Sequence, residues 1–457
     1  MHDLSYNKGE NMDRKTNVLG HFEKHREYMD DRIRNGIETN RKGWAFLNIT
    51  KPAFNHNVGR LHVKIKQKTH EFKYGANIFM LDELESAEKN SLYKKYFAEL
   101  GNMATVPIYW RDLEPVEGKP RFAADSPKIY RRPATDLCVD FCEANGIEPK
   151  AHCINYDQWS PEWLFPLSVR EIKKKLERRM YELAERYGDR INGWEITNET
   201  LCCEGNNLTA FYEYPDFIEW SFKTAEKYFA NNKLIINDFN GIWGPDEGFH
   251  RDRSAYYMQI ERAIRSGAKI DSVGMQYHMF RRAESEAESS RFRYDPYYLY
   301  QTLDTYGKLN RPIQITEVTI PCYTDKPEDE EIQAQIIDRL YRIWFSHANV
   351  DTVVYWNLAD GYAAFAPQGD MTSGENYYRG GLLRFDMSPK PAYYVIKNLF
   401  EKEWKTECEI DTNEIGAGEF KGFYGDYELE ITDGNRTWQR TIEFSKYDSD
   451  KINVLLD

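Results

Sequence analysis

The sequence predicts an α/β fold: a closed (β/α)8 TIM barrel carrying a small accessory β-sandwich built from the N- and C-terminal segments. Three observations lead there. Eight candidate strands recur through the middle of the chain, each followed by a loop and a helix-period pattern. No Gly-rich phosphate loop follows the first run, where Gly75-Ala76-Asn77 does not make G-x-G-x-x-G, so an open dinucleotide-binding sheet lacks its main signature. β-rich stretches flank the repeating region on both sides.

Residues 1–17 are polar and read as loose, and 21–42 read as a charged helix with Phe22, Met29 and Ile33 as sparse apolar contacts, so 1–43 form a tail and helix leading into the fold. In 44–71 the alternating runs Ala45-Phe46-Leu47-Asn48-Ile49 and Leu61-His62-Val63-Lys64-Ile65-Lys66, separated by Pro52, Asn55 and Gly59, predict antiparallel strands. The barrel spans 72–400, with strands near 72–79, 101–108, 148–154, 191–198, 233–238, 271–278, 312–318 and 351–358. Between them, stripes such as Val169, Ile172, Leu176, Met180, Leu183 and Tyr187 recur every three or four residues, as one face of a helix requires. Leu92, Tyr93, Tyr96, Phe97 and Leu100 mark another helix, and Ile332, Ile336, Leu340, Ile343, Trp344 and His347 a third. After Pro389-Lys390-Pro391 and a final helix to about residue 400, the stretch 401–457 turns to strands at 406–410, 418–425, 426–431 and 441–444, with Asp433-Gly434-Asn435 as a hairpin turn. The two β-rich segments leave a barrel whose ends lie close together, so they are expected to pair.

Composition narrows the function. A chain of 457 residues with 41% hydrophobic side chains, 24 Phe, 32 Tyr and 11 Trp has ample material for a packed core. A net charge of −13 has the wrong sign for holding a phosphate backbone, which argues against nucleic acid as a partner. No apolar run reaches the ~18 residues of a membrane span. The opening residues also lack a secretory leader, so the chain as given is expected in the cytoplasm, and outside the cell only if a leader has been removed. Seven scattered cysteines suit reduced thiols: Cys138 and Cys142 at helical spacing and the adjacent Cys202 and Cys203 match no metal pattern. No cofactor and no metal are expected.

Catalytic groups of such a barrel sit at the C-terminal ends of its strands. Two strand ends carry glutamates: Glu199 after Trp194-Glu195-Ile196-Thr197-Asn198 on the fourth strand, and Glu317 after Ile313-Gln314-Ile315-Thr316 on the seventh. These strands face each other across the barrel, and side chains of this length can bring two carboxyls to about 5 Å, the separation a retaining glycosidase uses. Asn198 offers an amide beside Glu199, suited to a sugar 2-hydroxyl. Gln276 and His278 end the sixth strand, His152 the third, and Trp356 on the eighth can face inward as a sugar platform. His152 equally fits a buried, hydrogen-bonded role.

These motifs resemble glycoside hydrolase family 10, the β-1,4-xylanase family of retaining (β/α)8 enzymes, over roughly residues 72–394. Trp194-Glu195-Ile196-Thr197-Asn198-Glu199 is similar to its acid/base motif and Ile315-Thr316-Glu317 to its nucleophile motif. Ile235-Ile236-Asn237-Asp238-Phe239-Asn240, Gly274-Met275-Gln276-Tyr277-His278, Tyr355-Trp356-Asn357-Leu358-Ala359-Asp360 and Pro389-Lys390-Pro391-Ala392-Tyr393 follow in the family's order. The resemblance implies Glu199 as acid/base, Glu317 as nucleophile and His278 bonded to the nucleophile. Substrate contacts fall to Asn198, His152, Gln276, Trp356, Tyr156 and Asn240. The departures fall in the subsites. Ala104-Thr105-Val106-Pro107-Ile108-Tyr109-Trp110 lacks the Glu, Asn and Lys the family uses for the glycone, and Thr319 replaces an Asp after the nucleophile. A xylan-type oligosaccharide is the expected substrate. Another β-glycan, a decorated oligosaccharide or a barrel that only binds carbohydrate are the alternatives. Phe420, Phe423, Tyr424 and Tyr427 leave open a glycan-binding role for the C-terminal module, against a role in its core.

Overall fold

A computed structural model describes residues 13–52, 58–201, 207–244 and 251–457. Cys202 and Cys203, Asn55 and most of the expected loose N-terminal stretch lie outside these residues. Two helices come first, α1 (Arg14–Glu23) and α2 (Arg26–Asn40), followed by β1 (Lys42–Thr50) and β2 (His62–Gln67). The single helix expected over 21–42 is therefore two, and residues 14–17 are helical. The break at His25 (φ −125, ψ 36) lets both pieces bury a face: Val18, Leu19, Phe22 and Met29 all join the main core. Phe22 stacks on Tyr294 at 5.3 Å, and Arg14 forms ion pairs of 2.8 Å with both Glu286 and Asp329. What reads as a leader is part of the barrel's outer layer.

Eight parallel strands form the barrel: β3 (Lys73–Asn77), β4 (Met103–Pro107), β5 (Glu148–His152), β6 (Gly193–Asn198), β7 (Lys233–Asp238), β8 (Ser272–His278), β9 (Ile313–Thr319) and β10 (Val350–Tyr355). They pair in sequence order, and β10 returns to β3 to close the sheet. These strands are buried on both faces, and the polar groups they carry, such as Lys150, Glu195, Asn237 and Thr316, are buried with them and hydrogen-bonded to one another. Helices cover the outside. Val169–Tyr187 starts in a capping box, Ser168 accepting from the Glu171 N–H while Glu171 reaches back, and buries Ile172, Leu176, Met180 and Leu183. Pro327–Ser346 opens with Pro and three acidic residues, which suit the positive end of its dipole. Among the described residues no helix is long and apolar enough to cross a membrane.

The remaining strands are β11 (Glu407–Asp411), β12 (Ala417–Phe423), β13 (Gly425–Thr432), β14 (Thr437–Phe444) and β15 (Lys451–Leu455). They join β1 and β2 in two sheets, ordered β12-β1-β15 and β11-β2-β13-β14. Alternate residues of β1, Ala45, Leu47 and Ile49, pack in one core with Val63, Ile65, Leu429, Ile431, Trp438 and Phe444. The accessory sandwich thus draws on both ends of the chain, as the fold class expects. Two details differ. β1 and β2 do not pair with each other but lie in opposite sheets, each finding its neighbours some 350–400 residues away, as in Lys64 to Glu430 (366 apart) and Asn48 to Asn453 (405 apart). The last strand, β15, is additional to the reading; it pairs parallel to β1, an arrangement no local pattern announces. Phe420, Phe423 and Tyr427 are buried in the cores and Tyr424 is half-buried against Phe444, so these aromatics fill structure. Arg41 fastens the start of β1 to the barrel by donating to the carbonyls of Phe345, His347 and Val350.

Candidate active site

At the C-terminal ends of the barrel strands lies a cavity of about 490 Å³. Seven of the nine candidate residues line it: Glu199, Glu317, His152, Tyr156, Gln276, His278 and Trp356. Asn198 lies buried alongside, tied to Gln276 at 3.3 Å. Asn240 is not brought to the cavity lining. β7 ends at Asp238, whose Oδ1 accepts from the backbone N–H groups of Phe239 and Asn240, and this turn presents Phe239 instead.

Glu317 is 2% exposed. Asn237 Nδ2 donates to its Oε1 at 2.8 Å, and His278 Nε2 lies 3.1 Å from its Oε2. Burial pushes the carboxyl up to about 7. His278 is itself held down to about 4 by burial, so the ring is neutral and supports Glu317 as an N–H donor and not as a cation. Its Nδ1, 2.9 Å from Thr319 Oγ1, can then accept from that hydroxyl. Thr319, uncharged, gives the ring no anionic partner.

Glu199 follows the end of β6 with a left-handed backbone (φ 50), a conformation costly for a side chain of this size and one that aims it at the cavity. Tyr156 Oη donates to its Oε2 at 2.5 Å and Gln276 Nε2 to its Oε1 at 3.1 Å. Burial and then the neighbouring Glu317 charge raise its pKa. Trp356 meets Phe79, His152 and His278 edge-on at 5.2, 5.3 and 5.8 Å. Its neighbour Tyr355 points away, donating to the Gly380 carbonyl.

Beneath these groups runs a buried network legible only in part from the sequence. Asn237 Nδ2 reaches Glu317, Asn198 Oδ1 (2.7 Å) and Glu195 Oε2 (3.3 Å), while Thr316 donates to its Oδ1 at 2.6 Å. Gly274 makes room for it, since a Cβ there would stand 2.5 Å from Asn237 Oδ1. Glu195 is fully buried between Lys150 and His152, and its interactions with them outweigh its burial to hold it near 2. His152 is engaged on both nitrogens, by Glu195 and by Tyr109 Oη at 2.8 Å, which favours the buried, hydrogen-bonded role. His152, Glu195 and Glu317 bring ligand-type atoms within 4.8 Å of one another, but Lys150 Nζ already supplies the positive charge a metal would.

A sequence model described as Glycosyl hydrolase family 10 matches residues 69–399, a span holding all eight barrel strands. The chain belongs to this family. Among its relatives, this family-10 chain is 24% identical over 314 residues to a beta-1,4-xylanase of Dictyoglomus thermophilum, covering 62% of the chain and 84% of the relative. It is 23% identical over 385 residues to the anti-sigma-I factor RsgI6 of Acetivibrio thermocellus, covering 83% of the chain but 43% of the relative. It spans 29% of the endo-1,4-beta-xylanase B of Neocallimastix patriciarum. The crystal structure of xylanase 10B from Thermotoga petrophila in complex with xylobiose shares the fold, with a TM-score of 0.57 and 20% identity over 73% of this chain and 95% of that one.

Proposed function

We propose that this chain is a retaining β-glycosidase acting on β-1,4-linked xylan-type oligosaccharides by double displacement, with Glu317 as nucleophile and Glu199 as acid/base. The observation that carries the reading is the meeting of these two strand-end carboxyls in one cavity, linked through Asn237, Asn198 and Gln276. Family membership and the xylanases among the relatives support the reaction class.

The environments divide the labour. Glu199 carries the proton the leaving oxygen needs, because burial and the charge on Glu317 oppose its ionisation. Glu317, fixed by Asn237 and His278, attacks the anomeric carbon. Once it is esterified its charge is gone, the pKa of Glu199 falls, and the donors Tyr156 and Gln276 stabilise the carboxylate that then activates water. Asn198 serves the 2-hydroxyl; its Nδ2 has no hydrogen-bond partner among the described residues. Trp356 is the platform for the sugar.

The test is turnover of aryl β-xyloside, β-xylobioside, β-glucoside and β-cellobioside by wild type and by Glu317→Ala. Hydrolysis of a xyloside by wild type alone is the expected result. Turnover confined to a glucoside would move the substrate to another β-glycan, and equal turnover by the variant would remove Glu317 from the mechanism.

A further inference from the structure

The cavity holds a buried cation with no carboxylate in direct contact, its nearest counter-charge, Glu375, being reached through Asn357. Arg131 is 5% exposed and lines the cavity, yet no carboxylate stands within ion-pair distance of it among the described residues. Its Nη1 donates to Asn357 Oδ1 at 3.2 Å and to the Tyr362 carbonyl. Its Nε and Nη2 take no partner among the described residues. Asn357 stands between it and Glu375, donating to that carboxylate at 3.4 Å. The contrast with Arg132 is direct, for Arg132 also lines the cavity but is neutralised by Asp112 at 2.8 Å. Burying a guanidinium is unfavourable unless an anion offsets it; Glu375 acts on Arg131 only from a distance, and burial still holds its pKa below the usual value, so an anion in direct contact would find a favourable place here. Arg131 is held there by a left-handed backbone (φ 62), itself unfavourable for a non-glycine residue.

The position says where the anion belongs. Arg131 lies 5.8 Å from the Phe79 ring, and Phe79 packs edge-on against Trp356 at 5.2 Å. The guanidinium is thus one aromatic ring removed from the sugar platform, on the side of the first and second barrel strands. On the far side of the cavity Arg281 and Arg293 add positive charge, so arginines outnumber the carboxylates left once Glu199 keeps its proton. A chain of net charge −13 has concentrated cations here.

We propose that Arg131 forms a subsite for an anionic substituent on the glycone, the carboxylate of a uronic acid or a sulfate ester, so that the preferred substrate is an acidic oligosaccharide. This rests on the glycosidase reading above and specifies its substrate. A planar guanidinium with two open N–H directions suits either oxyanion.

The experiment compares kcat/KM for four xylo-oligosaccharides: one with a uronic acid on its glycone, its methyl ester, a sulfated counterpart and the unsubstituted compound. Wild type is expected to prefer an acidic member over the ester and the neutral compound by about ten- to hundredfold, the scale of a charge-assisted hydrogen bond. The uronate and sulfate arms tell the two anions apart. Arg131→Gln is expected to bring the ratio close to one. If that variant does not fold, the acid-to-ester ratio of wild type and its decline with added salt decide the matter. Equal handling of acid and ester by wild type overturns the subsite and leaves the glycosidase standing. If nothing turns over, calorimetry on Glu317→Gln separates the two readings. Preferential binding of the acidic compounds keeps the subsite and sinks the activity, and binding of none sinks both.

Discussion

At Asn237 a single side-chain amide touches Glu317, Asn198 and Glu195, so one buried group fixes the proposed nucleophile and reaches the proposed acid/base, Glu199, only through Asn198 and Gln276. Its neighbourhood sets the pH response. Glu317 is raised to about 7 from 4.5 and Glu199 is raised as well, so protonation removes the proposed nucleophile at a pH where ordinary glutamates are ionised. A bell-shaped kcat/KM profile is expected, with its acid limb nearer 7 than 4.5 and its alkaline limb set by loss of the last proton of the pair. In Glu199→Gln, assayed with an activated aryl leaving group, the alkaline limb should vanish; its persistence would assign that proton elsewhere. Glu195 has the opposite sign. Its folded pKa is near 2, so the stability it contributes is present above the unfolded value of ~4.3 and is lost as pH falls toward 2. Lys150→Met, leaving that buried carboxylate without its lysine, should cost about 3–5 kcal/mol in urea unfolding at neutral pH. A loss under ~1 kcal/mol would mean that the pair gives no net stabilisation.

At the scale of elements, the eight barrel strands stand where the recurring strand-loop-helix pattern puts them, because each strand is short, mostly buried and bounded by turns. The residues that end those strands were readable for the same reason, since the fold itself directs strand ends into the cavity. Loops were not readable. Arg131, Trp159, Glu375 and Phe365 reach the cavity from connecting segments whose course follows no period, and sequence spacing gives no hint that Arg131 meets Asn357. Asn237 escaped because Asn240 carries the same chemistry three residues on, and only the turn at Asp238 decides which faces inward. β15 escaped because its partner β1 lies at the far end of the chain. Ending the chain after Ser445 should therefore strip β1 of one neighbour and remove Val454 and Leu456 from the sandwich core. The expected result is a melting temperature several degrees lower with an unchanged pH profile, measured by circular dichroism and the aryl-glycoside assay; an unchanged melting temperature would show that β15 adds nothing.

Across the whole molecule, the candidate site and the accessory sandwich lie at opposite ends of the barrel. The cavity opens at the C-terminal mouth of the barrel. At the other end the sandwich is joined by Phe345, Phe400, Trp404 and Phe423, with Phe345 and Trp404 stacked at 3.9 Å. That junction couples both chain ends to the strand ring, and it has a consequence during biosynthesis. β1 and β2 leave the ribosome early, but Thr69 meets its partner Asp426 357 residues later. At typical translation speeds the two strands wait roughly 20–70 s with open hydrogen-bonding edges. Over that interval they are templates for pairing with other nascent chains, a hazard that the alternating lysines of β2, Lys64 and Lys66, are placed to reduce.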